Sequence, residues 1–339
     1  MRWEEIAGQD RAVKALRSAL LRDQVHHAYL LAGPAGVGKD LIARTFAQAA
    51  NCEAPDPAAR PCGRCESCAG LLRGNFPDVM TVMPQADLVA RGLLNRADLD
   101  GVPSREIRVD EVRALARRLS LTALRGRRKI AIVTPADAMN ERAQNTLLKT
   151  LEEPPPATTF LLLSAHPDSL LPTIRSRCAR VQLGPVPEEA LVARLLRDGI
   201  AEPEARERAA RAQGSFSRAL AEQGEWRELL LQIEGALAAA DEREALDVAE
   251  AHGEREAALE VARAVQAWTR DVLVAQAGGS PQLRELALKA QEVAARVPPS
   301  ALLAQAELCA VAVEALEQNG NGRLQLERLL LGSRELRRG

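Results

Sequence analysis

An apolar segment, a glycine-rich turn and an amphipathic segment follow one another near the N-terminus. "HAYLLAG" predicts a buried strand that enters the turn, and "KDLIARTFAQAANC" predicts the helix that leaves it. Three more apolar segments predict strands at 130–133, 158–166 and 180–187, with helical patterns between them. Strands that alternate with helices form parallel sheets covered on both faces. We therefore expect an α/β domain with a parallel sheet.

The hydrophobic period changes after Pro187. Strand patterns cease there, and short helices are predicted at 188–198, 203–213 and 217–222. Longer amphipathic helices are predicted at 226–253, 256–277, 281–296, 299–317 and 321–336. We expect three domains, namely an α/β domain at 1–184, a small helical domain at 185–224 and an all-α domain at 225–339.

Length and composition are those of a soluble protein with more than one domain. The chain has 339 residues, of which 47% are hydrophobic, so it can bury a substantial core. The net charge of −1 gives no overall attraction to nucleic acid, so such a contact requires a local basic patch. The N-terminal segment lacks an apolar signal core, and no uninterrupted run of about 18 apolar residues suits a membrane span. We expect a cytoplasmic protein without a membrane partner.

The glycine-rich turn, "GPAGVGKD", is close to a phosphate-binding loop. In such a loop, backbone N–H groups and a helix N-terminus surround phosphate oxygens, and a lysine neutralises them. Gly33, Gly36 and Gly38 provide the backbone freedom, and Lys39 provides the positive charge. A plain glycine turn is the alternative, but the strand, the glycines and the lysine together favour the phosphate loop.

Two positions that hold a metal ion in a hydrolytic site are altered. Asp40 stands where a Ser or Thr hydroxyl would bind Mg²⁺, and its charge repels phosphate. Direct binding of Mg²⁺ by the carboxylate of Asp40 is the alternative. Thr134 and Pro135 follow the second apolar strand, where an acidic residue would orient the metal and water. Asp137 lies two residues further on and serves only if the loop folds back. We expect a degenerate site that binds nucleotide weakly or not at all and does not hydrolyse it.

Four of the six cysteines lie within residues 52–68, at Cys52, Cys62, Cys65 and Cys68. Two C-x-x-C steps that share Cys65 can aim several thiolates at one centre, and Cys52 completes a tetrahedral zinc site. A redox dithiol is one alternative, although it needs only two cysteines, and an iron–sulfur cluster with four thiolates is another. We expect structural Zn²⁺ that stabilises an insert and takes no part in catalysis.

Several longer segments carry a resemblance to a known family. They are "IAGQDRAVKALRSAL", "HHAYLLAGPAGVGKD", the cysteine insert, "NTLLKTLEEPP", "RSRCARVQL" and "QGSFSRAL". Over residues 1–220 the chain resembles the bacterial DNA polymerase III clamp-loader subunits of the AAA+ class. The resemblance implies a RecA-like α/β domain with a zinc insert, a small helical lid and a C-terminal helical collar that joins subunits into a ring.

The resemblance also assigns roles to single residues. Arg177 of "SRC" corresponds to an arginine finger that reaches the ATP site of a neighbouring subunit, where a guanidinium stabilises phosphoryl charge. A plain surface arginine is the alternative. Active relatives carry a nucleotide-sensing arginine in the lid where this chain has Ser217, and Arg218 is displaced by one residue, about 100° of helix rotation. The position of a polar sensor, Ser164, is ambiguous.

Two charged segments are candidate contact surfaces. Glu152 and Glu153 lie at a predicted helix C-terminus, where the helix dipole disfavours negative charge, so a cation from a partner or a nearby segment is expected beside them. Two solvated glutamates are the alternative. The basic run at 113–129 could contact DNA phosphates, but it has no interleaved aromatic residue, and we favour a solvated helix face.

Taken together, the resemblance and the altered loop predict a non-catalytic subunit, a stator, in the DNA polymerase III clamp loader. It would donate Arg177 to a neighbouring ATPase and lack ATPase activity of its own. The implied partners are the delta and tau/gamma subunits, the sliding clamp and, through the complex, primer–template DNA. The alternatives are an active tau/gamma-type ATPase, which the altered loop argues against, and a zinc-dependent DNA-binding module acting alone, for which base-reading elements are missing.

Overall fold

The computed structural model describes residues 2–99, 101–220, 224–281, 283, 286–317 and 320–338, without the side chains of 224–227 and 256. The strands are β1 Ala28–Ala32, β2 Val79–Val82, β3 Lys129–Val133, β4 Thr158–Ser164 and β5 Ala179–Gln182. The first helices are α1 Asp10–Leu21, α2 Lys39–Asn51, α3 Glu66–Leu72, α4 Gln85–Ala90, α5 Val109–Ser120, α6 Glu141–Glu152, α7 Pro172–Arg177 and α8 Glu188–Arg197. The later helices are α9 Glu202–Arg211, α10 Phe216–Leu220, α11 Gly224–Ala238, α12 Arg243–Ala251, α13 Arg255–Gln276, α14 Ala287–Arg296, α15 Pro299–Glu317 and α16 Gly322–Arg338.

The strands form one parallel sheet in the order β2-β3-β4-β1-β5. The first strand, β1, is central, so that Leu30 lies opposite Leu162 of β4 and Arg180 of β5. All residues of β1, β3 and β4 are buried, which requires that both faces of the sheet are covered. The predicted α/β class with a parallel sheet and a helical C-terminal region is confirmed.

The edge strand β2 was not predicted from the sequence. Of its four residues only Met80 is buried, and Thr81 is exposed, so β2 lacks the continuous apolar run that marks the other strands. Two predicted strands are also shorter than expected. β4 ends at Ser164, and β5 ends at Gln182, shortly before Gly184.

The predicted helix at 226–253 is wrong, because the chain forms two helices there, α11 and α12. The Oδ1 atom of Asp241 accepts a hydrogen bond from the backbone N–H of Arg243 at 3.0 Å, which competes with helical pairing. The predicted helix at 281–296 begins later, at Ala287, and positions 282, 284 and 285 lie outside the described residues. The predicted helix at 217–222 is described as far as Leu220.

Helix α6 begins and ends where the sequence predicts. The side chain of Asn140 accepts a hydrogen bond from the backbone N–H of Ala143 at 3.0 Å and caps the helix N-terminus. At its other end the helix stops at Glu152, before three prolines. The Oε1 atom of Gln144 accepts a hydrogen bond from the backbone N–H of Leu171 at 2.8 Å, so α6 also fixes the start of α7.

The chain packs as two compact units. The first runs to Glu202 and also contains Ala212–Ala219, and its core lies between the sheet, α5 and α6. The second contains Pro203–Arg211 and the chain from Leu220 onward, with a core formed by α11 to α16. The division into three domains at 1–184, 185–224 and 225–339 stays a prediction.

The longest apolar helix of the described residues lies in the second unit. By length and composition α15 could cross a membrane, with a mean hydropathy of 1.3, and no other described helix could. It is not an uninterrupted apolar run, because it contains Glu307 and Glu314. Leu302, Cys309 and Leu316 of α15 are buried in the core of the second unit, so this face of the helix packs against protein.

A buried polar network also ties four helices of the second unit together. Glu234 of α11 accepts hydrogen bonds from Nε1 of Trp268 in α13 at 2.7 Å and from Nη1 of Arg337 in α16 at 2.9 Å. The Nε atom of Arg337 donates to Oε1 of Gln305 in α15 at 3.0 Å. The side chains of Arg337 and Glu234 are only 6% and 8% exposed, so each charge depends on the other.

Candidate functional site

The glycine loop joins the central strand β1 to α2. Gly36 and Gly38 have φ values of +77° and +98°, which only glycine adopts without strain. A Cβ atom on Gly33 would lie 2.5 Å from the carbonyl oxygen of Leu183, and one on Gly36 would lie 2.0 Å from Oγ of Ser215. The glycines therefore permit close packing as well as the loop conformation.

Hydrogen bonds from other segments of the first unit hold the loop. The backbone N–H of Phe216 donates to the carbonyl oxygen of Gly36 at 2.8 Å. The side chain of Gln9 donates to the carbonyl oxygens of Gly184 at 2.8 Å and Val37 at 3.5 Å. Gln9 precedes α1 within the segment "IAGQDRAV", but no local pattern in the sequence predicts its contact with the loop. The loop is thus bound to chain segments on both sides of it.

Lys39 directs its ammonium group at the loop itself. Its Nζ atom donates to the carbonyl oxygens of Gly33 at 2.5 Å and Pro34 at 2.7 Å. Burial lowers the pKa of Lys39 from 10.5 to about 8, and the charge of Asp137 opposes this shift. At neutral pH the group therefore stays protonated and neutralises the negative ends of the loop carbonyls.

Asp40 has a cation of its own chain. Its Oδ2 atom accepts a hydrogen bond from Nε of Arg44, one helical turn later, at 2.7 Å. Its Oδ1 atom is buried and has no hydrogen-bond partner among the described residues. The carboxylate at the start of α2 is therefore neutralised within the helix, and only one of its oxygen atoms is satisfied.

Asp137 comes closer to the loop than the sequence suggested. Residues Ala136–Ala138 form a turn of 3-10 helix after β3, and Oδ1 of Asp137 accepts a hydrogen bond from the backbone N–H of Ala165 at 3.2 Å. The carboxylate of Asp137 thus lies beside the residue that follows β4, and its charge raises the pKa of Lys39. The spacing of residues in the sequence could not predict this position of Asp137, since it does not show which way a short turn directs its side chains.

The candidate nucleotide sensors in the lid, Ser217 and Arg218, and at the end of β4, Ser164, differ in their hydrogen bonding. The guanidinium of Arg218 donates from Nε to the carbonyl oxygen of Ala212 at 2.8 Å and from Nη2 to that of Gln213 at 3.3 Å. Ser217 lies near the loop, with Oγ 3.1 Å from where a Cβ on Gly36 would be. The hydroxyl of Ser164, at the end of β4, is buried without a hydrogen-bond partner among the described residues.

The four cysteines of the insert come together. The sulfur atoms of Cys52, Cys62, Cys65 and Cys68 all lie within 4.8 Å of one another. Backbone N–H groups point at them, from Cys62 to Sγ of Cys52 at 3.3 Å and from Cys65 to Sγ of Cys62 at 3.4 Å. Backbone hydrogen bonds lower the pKa of Cys62 to about 6, which favours its thiolate, whereas burial raises the pKa of Cys52 and of Cys68. Four converging thiolates fit a zinc ion, whose Zn–S distance is about 2.3 Å.

The insert is fastened to the helix of the glycine loop. Cys52 directly follows the last residue of α2. The side chain of Gln48 in α2 donates to the carbonyl oxygen of Cys68 at 3.0 Å, and Ser67 donates from its hydroxyl to Glu53 at 2.6 Å. A metal ion in the insert would therefore stabilise the C-terminal end of α2.

Arg177 is the last residue of α7, and its guanidinium has two hydrogen-bond partners among the described residues. Nη2 donates to Oε1 of Glu152 at 2.7 Å, and Nη1 donates to the carbonyl oxygen of Thr173 at 3.0 Å. The side chains of Arg177 and Glu152 remain 35% and 49% exposed. The cation expected beside the end of α6 thus comes from the same chain, while Glu153 is exposed.

Several basic residues of the run at 113–129 pair with groups of the same chain. Arg113 lies 3.5 Å from Asp110 of its own helix, and Arg125 lies 2.7 Å from Glu66. Lys129 is buried and donates to backbone carbonyls at the end of α5 and just after it. These contacts agree with a solvated and partly structural surface.

A family model described as "DNA polymerase III, delta subunit" matches residues 8–187, which is more than half of the chain. The chain belongs to this family. The sequence resemblance to DNA polymerase III clamp-loader subunits is therefore confirmed, and the glycine loop, the cysteine insert and Arg177 all lie inside the part that matches the delta-subunit family.

Curated relatives match about half of the chain. The DNA polymerase III subunit delta′ of Pseudomonas aeruginosa is 42% identical over 169 residues, which are 50% of this chain and 46% of the relative. The DNA polymerase III subunit tau of Bacillus subtilis is 34% identical over 194 residues, which are 57% of this chain and 31% of the relative. The chain thus spans less than half the length of these two relatives.

Solved structures resemble the chain only distantly. A DNA polymerase III gamma subunit-related protein from Thermotoga maritima has a TM-score of 0.46 and 17% identity, and the match covers 97% of this chain and 99% of that one. The RuvB Holliday junction branch migration motor from Thermotoga maritima has a TM-score of 0.39 and 16% identity, and covers 74% and 71%. Neither structural match supports an inference about function.

Proposed function

We propose that this member of the delta-subunit family is the delta-prime-type stator of a bacterial DNA polymerase III clamp loader. It supports ATP-dependent loading of the sliding clamp by donating Arg177 to the ATP site of a neighbouring subunit. The observation that carries the proposal is the contrast between Arg177, whose guanidinium is held but partly exposed, and the chain's own loop. In that loop Asp40 replaces the metal-binding hydroxyl and is paired with Arg44.

The chain's own nucleotide site lacks groups that hydrolysis needs. The guanidinium of Arg218 donates to carbonyl oxygens of its own turn, and Ser217 stands where a sensing arginine is expected. Lys39 donates to carbonyl oxygens of the loop. These contacts support weak or absent nucleotide binding at Gly33, Gly36, Gly38, Lys39 and Asp40, with no hydrolysis.

The partners follow from the proposed role. They are the delta and tau/gamma subunits, the sliding clamp and, through the complex, primer–template DNA, all in the cytoplasm and without a membrane. The C-terminal helices would form the collar that joins the subunits. Cys52, Cys62, Cys65 and Cys68 would hold a structural Zn²⁺, since four converging thiolates leave no open coordination position for a substrate.

One observation favours an alternative function, that of an active tau/gamma-type ATPase subunit. Asp137 lies near enough to Lys39 for its charge to raise the pKa of the ammonium, so a carboxylate is present at the strand ends. However, Asp137 already accepts a hydrogen bond from the backbone N–H of Ala165, and Asp40 keeps a second negative charge at the loop. ATP hydrolysis by the isolated chain separates the two functions.

The experiment compares the isolated chain with the reconstituted clamp loader. The isolated chain should hydrolyse ATP no faster than a blank, and Arg177→Ala should reduce hydrolysis at the neighbouring site by about a thousandfold, the lower end for an arginine finger. Arg175→Ala is the matched control, because Arg175 lies on the same helix and pairs with Asp168 instead. Rapid hydrolysis by the isolated chain, or equal effects of the two variants, would contradict the stator proposal.

A further inference from the structure

The guanidinium of Arg177 is fixed along one side and open on the rest. Of the described residues only Glu152 and Thr173 accept hydrogen bonds from it, through Nη2 at 2.7 Å and Nη1 at 3.0 Å. A guanidinium has five N–H donors in a rigid plane, so these two contacts leave three donors for a phosphate group. Arg177 can therefore be held in place and bind an anion at the same time.

The helix that carries Arg177 is too short to hold it without support. α7 has six residues, fewer than an isolated helix needs for stability. It is attached to α6 at both ends, by Gln144 to the backbone N–H of Leu171 at 2.8 Å and by Glu152 to Arg177 at 2.7 Å. Ile174, between the two attachments, is fully buried. α6 thus sets the position of the whole of α7, and Glu152 sets the direction of its last side chain.

Glu152 is also unfavourably placed unless it has this partner. It is the last residue of α6, where the helix dipole opposes negative charge. Because both side chains are partly exposed, their ion pair contributes little to folding stability. A carboxylate in this position is therefore better explained by the arginine that it orients than by the stability of the fold.

We propose that Glu152 is the positioning residue for Arg177, and that it holds the guanidinium in the orientation in which it meets the phosphate of the neighbouring subunit's ATP. The inference rests on the proposed function, because it requires that Arg177 acts in trans. The expected increase in the rate of hydrolysis comes from preorganisation. A long side chain that is already oriented loses less conformational freedom when it binds the phosphoryl group in the transition state. It concerns Glu152 alone and does not extend to Glu153, which lies beyond the end of α6.

The experiment measures DNA-stimulated ATP hydrolysis by the reconstituted complex, as kcat and KM for ATP. Glu152→Ala should lower kcat at the site that Arg177 serves by about tenfold to a hundredfold with KM unchanged, the size expected for a misplaced catalytic group. Glu152→Gln keeps an oxygen acceptor for Nη2 and should restore kcat to within about twofold of the original chain. Glu153→Ala, the matched control, should change neither constant.

A double-mutant cycle tests whether Glu152 acts through Arg177. In the Arg177→Ala background, Glu152→Ala should have no further effect on kcat. A further decrease there would mean that Glu152 contacts the neighbour directly, and an unchanged kcat for Glu152→Ala alone would mean that it positions nothing. Either result overturns the inference while the effect of Arg177→Ala stands. If Arg177→Ala itself has no effect, the proposed function fails instead.

A second measurement does not depend on assembly of the complex. In the isolated chain, side-chain NMR of the Arg177 guanidinium should show restricted rotation that is lost in Glu152→Ala and kept in Glu152→Gln and Glu153→Ala. Free rotation in the unaltered chain would overturn the inference. Thermal unfolding of each variant shows whether the fold is intact, and an exposed ion pair predicts only a small change.

Discussion

Burial of the Lys39 ammonium and the charge of Asp137 act on its pKa in opposite directions. Burial disfavours the protonated form and lowers its pKa from 10.5 to about 8, whereas Asp137 raises it. Between these two pH values the unfolded chain binds more protons at this site than the folded chain does. The contribution of Lys39 to the free energy of unfolding therefore increases as the pH rises from about 8 to about 10.5.

Replacement of Asp137 by Asn should lower the pKa of Lys39 below about 8, because it removes the negative charge that opposes the effect of burial. Competitive acetylation across a pH series, analysed by mass spectrometry, measures this midpoint and compares it with those of the other lysines. Lys14, which is exposed, is the internal control. A midpoint for Lys39 near 10.5 in the unaltered chain would contradict the burial described for its side chain.

Substitutions of Gly36 and Gly38 allow the cost of backbone strain to be measured separately from the cost of steric overlap. Both have positive φ values, but a Cβ on Gly36 would lie 2.0 Å from Oγ of Ser215, whereas a Cβ on Gly38 would have nothing within 4 Å. Gly38→Ala should therefore destabilise the first unit only through strain, by about 1 kcal/mol. Gly36→Ala should cost clearly more, measured by urea unfolding. Equal losses would show that Ser215 can move away without cost.

The pairing of Arg177 with Glu152 shows what sequence reasoning can and cannot find at single residues. The end of a helix predicts that Glu152 needs a cation, because the helix dipole is a local property. It does not predict which cation, because the two residues are 25 positions apart and meet only through the docking of α7 on α6. In the same way, the spacing of the cysteines predicts that they converge, since that depends on local turns.

At the scale of helices, the buried network in the second unit is a point of high sensitivity. Glu234 and Arg337 neutralise each other where both are almost fully buried. Glu234→Leu should therefore lower the free energy of unfolding by about 3–5 kcal/mol, because it leaves the buried charge of Arg337 without a counter-ion. Lys289→Ala, which breaks an exposed ion pair with Glu292, should cost at most about 1 kcal/mol.

Urea unfolding monitored by the fluorescence of Trp268, which lies in the network, measures both changes. A loss for Glu234→Leu as small as that for Lys289→Ala would mean that water or another group satisfies Arg337. The comparison is informative because both variants remove one member of an ion pair and differ in burial.

The cysteine insert should depend on a metal ion. We expect about one zinc ion per chain by elemental analysis, and a lower unfolding temperature after chelation, because the metal is bound only by the folded insert. Since Gln48 of α2 donates to the carbonyl oxygen of Cys68, chelation should also increase hydrogen exchange at the end of α2. Chelation of Cys65→Ser should have no further effect, and iron in place of zinc would contradict the assignment.

Over the whole molecule, the sequence predicts those elements whose pattern is complete within one segment. β1, β3 and β4 are predicted because each is a continuous apolar run between two covered faces. β2 is not, because an exposed edge strand with one buried residue has no such run. The break between α11 and α12 is missed because Ala-rich sequence on both sides favours helix, and a single hydrogen bond of Asp241 decides against it.

The same distinction applies to the candidate site. The loop, the cysteines and Arg177 are each recognisable from short segments. The approach of Asp137 to Lys39, the role of Gln9 and the contact of Phe216 with Gly36 depend on folding, because they join segments that are remote in sequence. The residues of the candidate site could therefore be predicted from the sequence, whereas their contacts with residues remote in sequence could not.

The packing around the glycine loop has a consequence for how such sequences are interpreted. Gly33 lies against the backbone of Leu183, and Gly36 lies against Ser215, so a larger residue at either position would collide with the protein itself. Folding alone is thus enough to require glycine at both positions, whether or not the loop serves ATP hydrolysis. A phosphate-loop motif in a sequence is consequently evidence for this fold, and it is not by itself evidence for ATP hydrolysis.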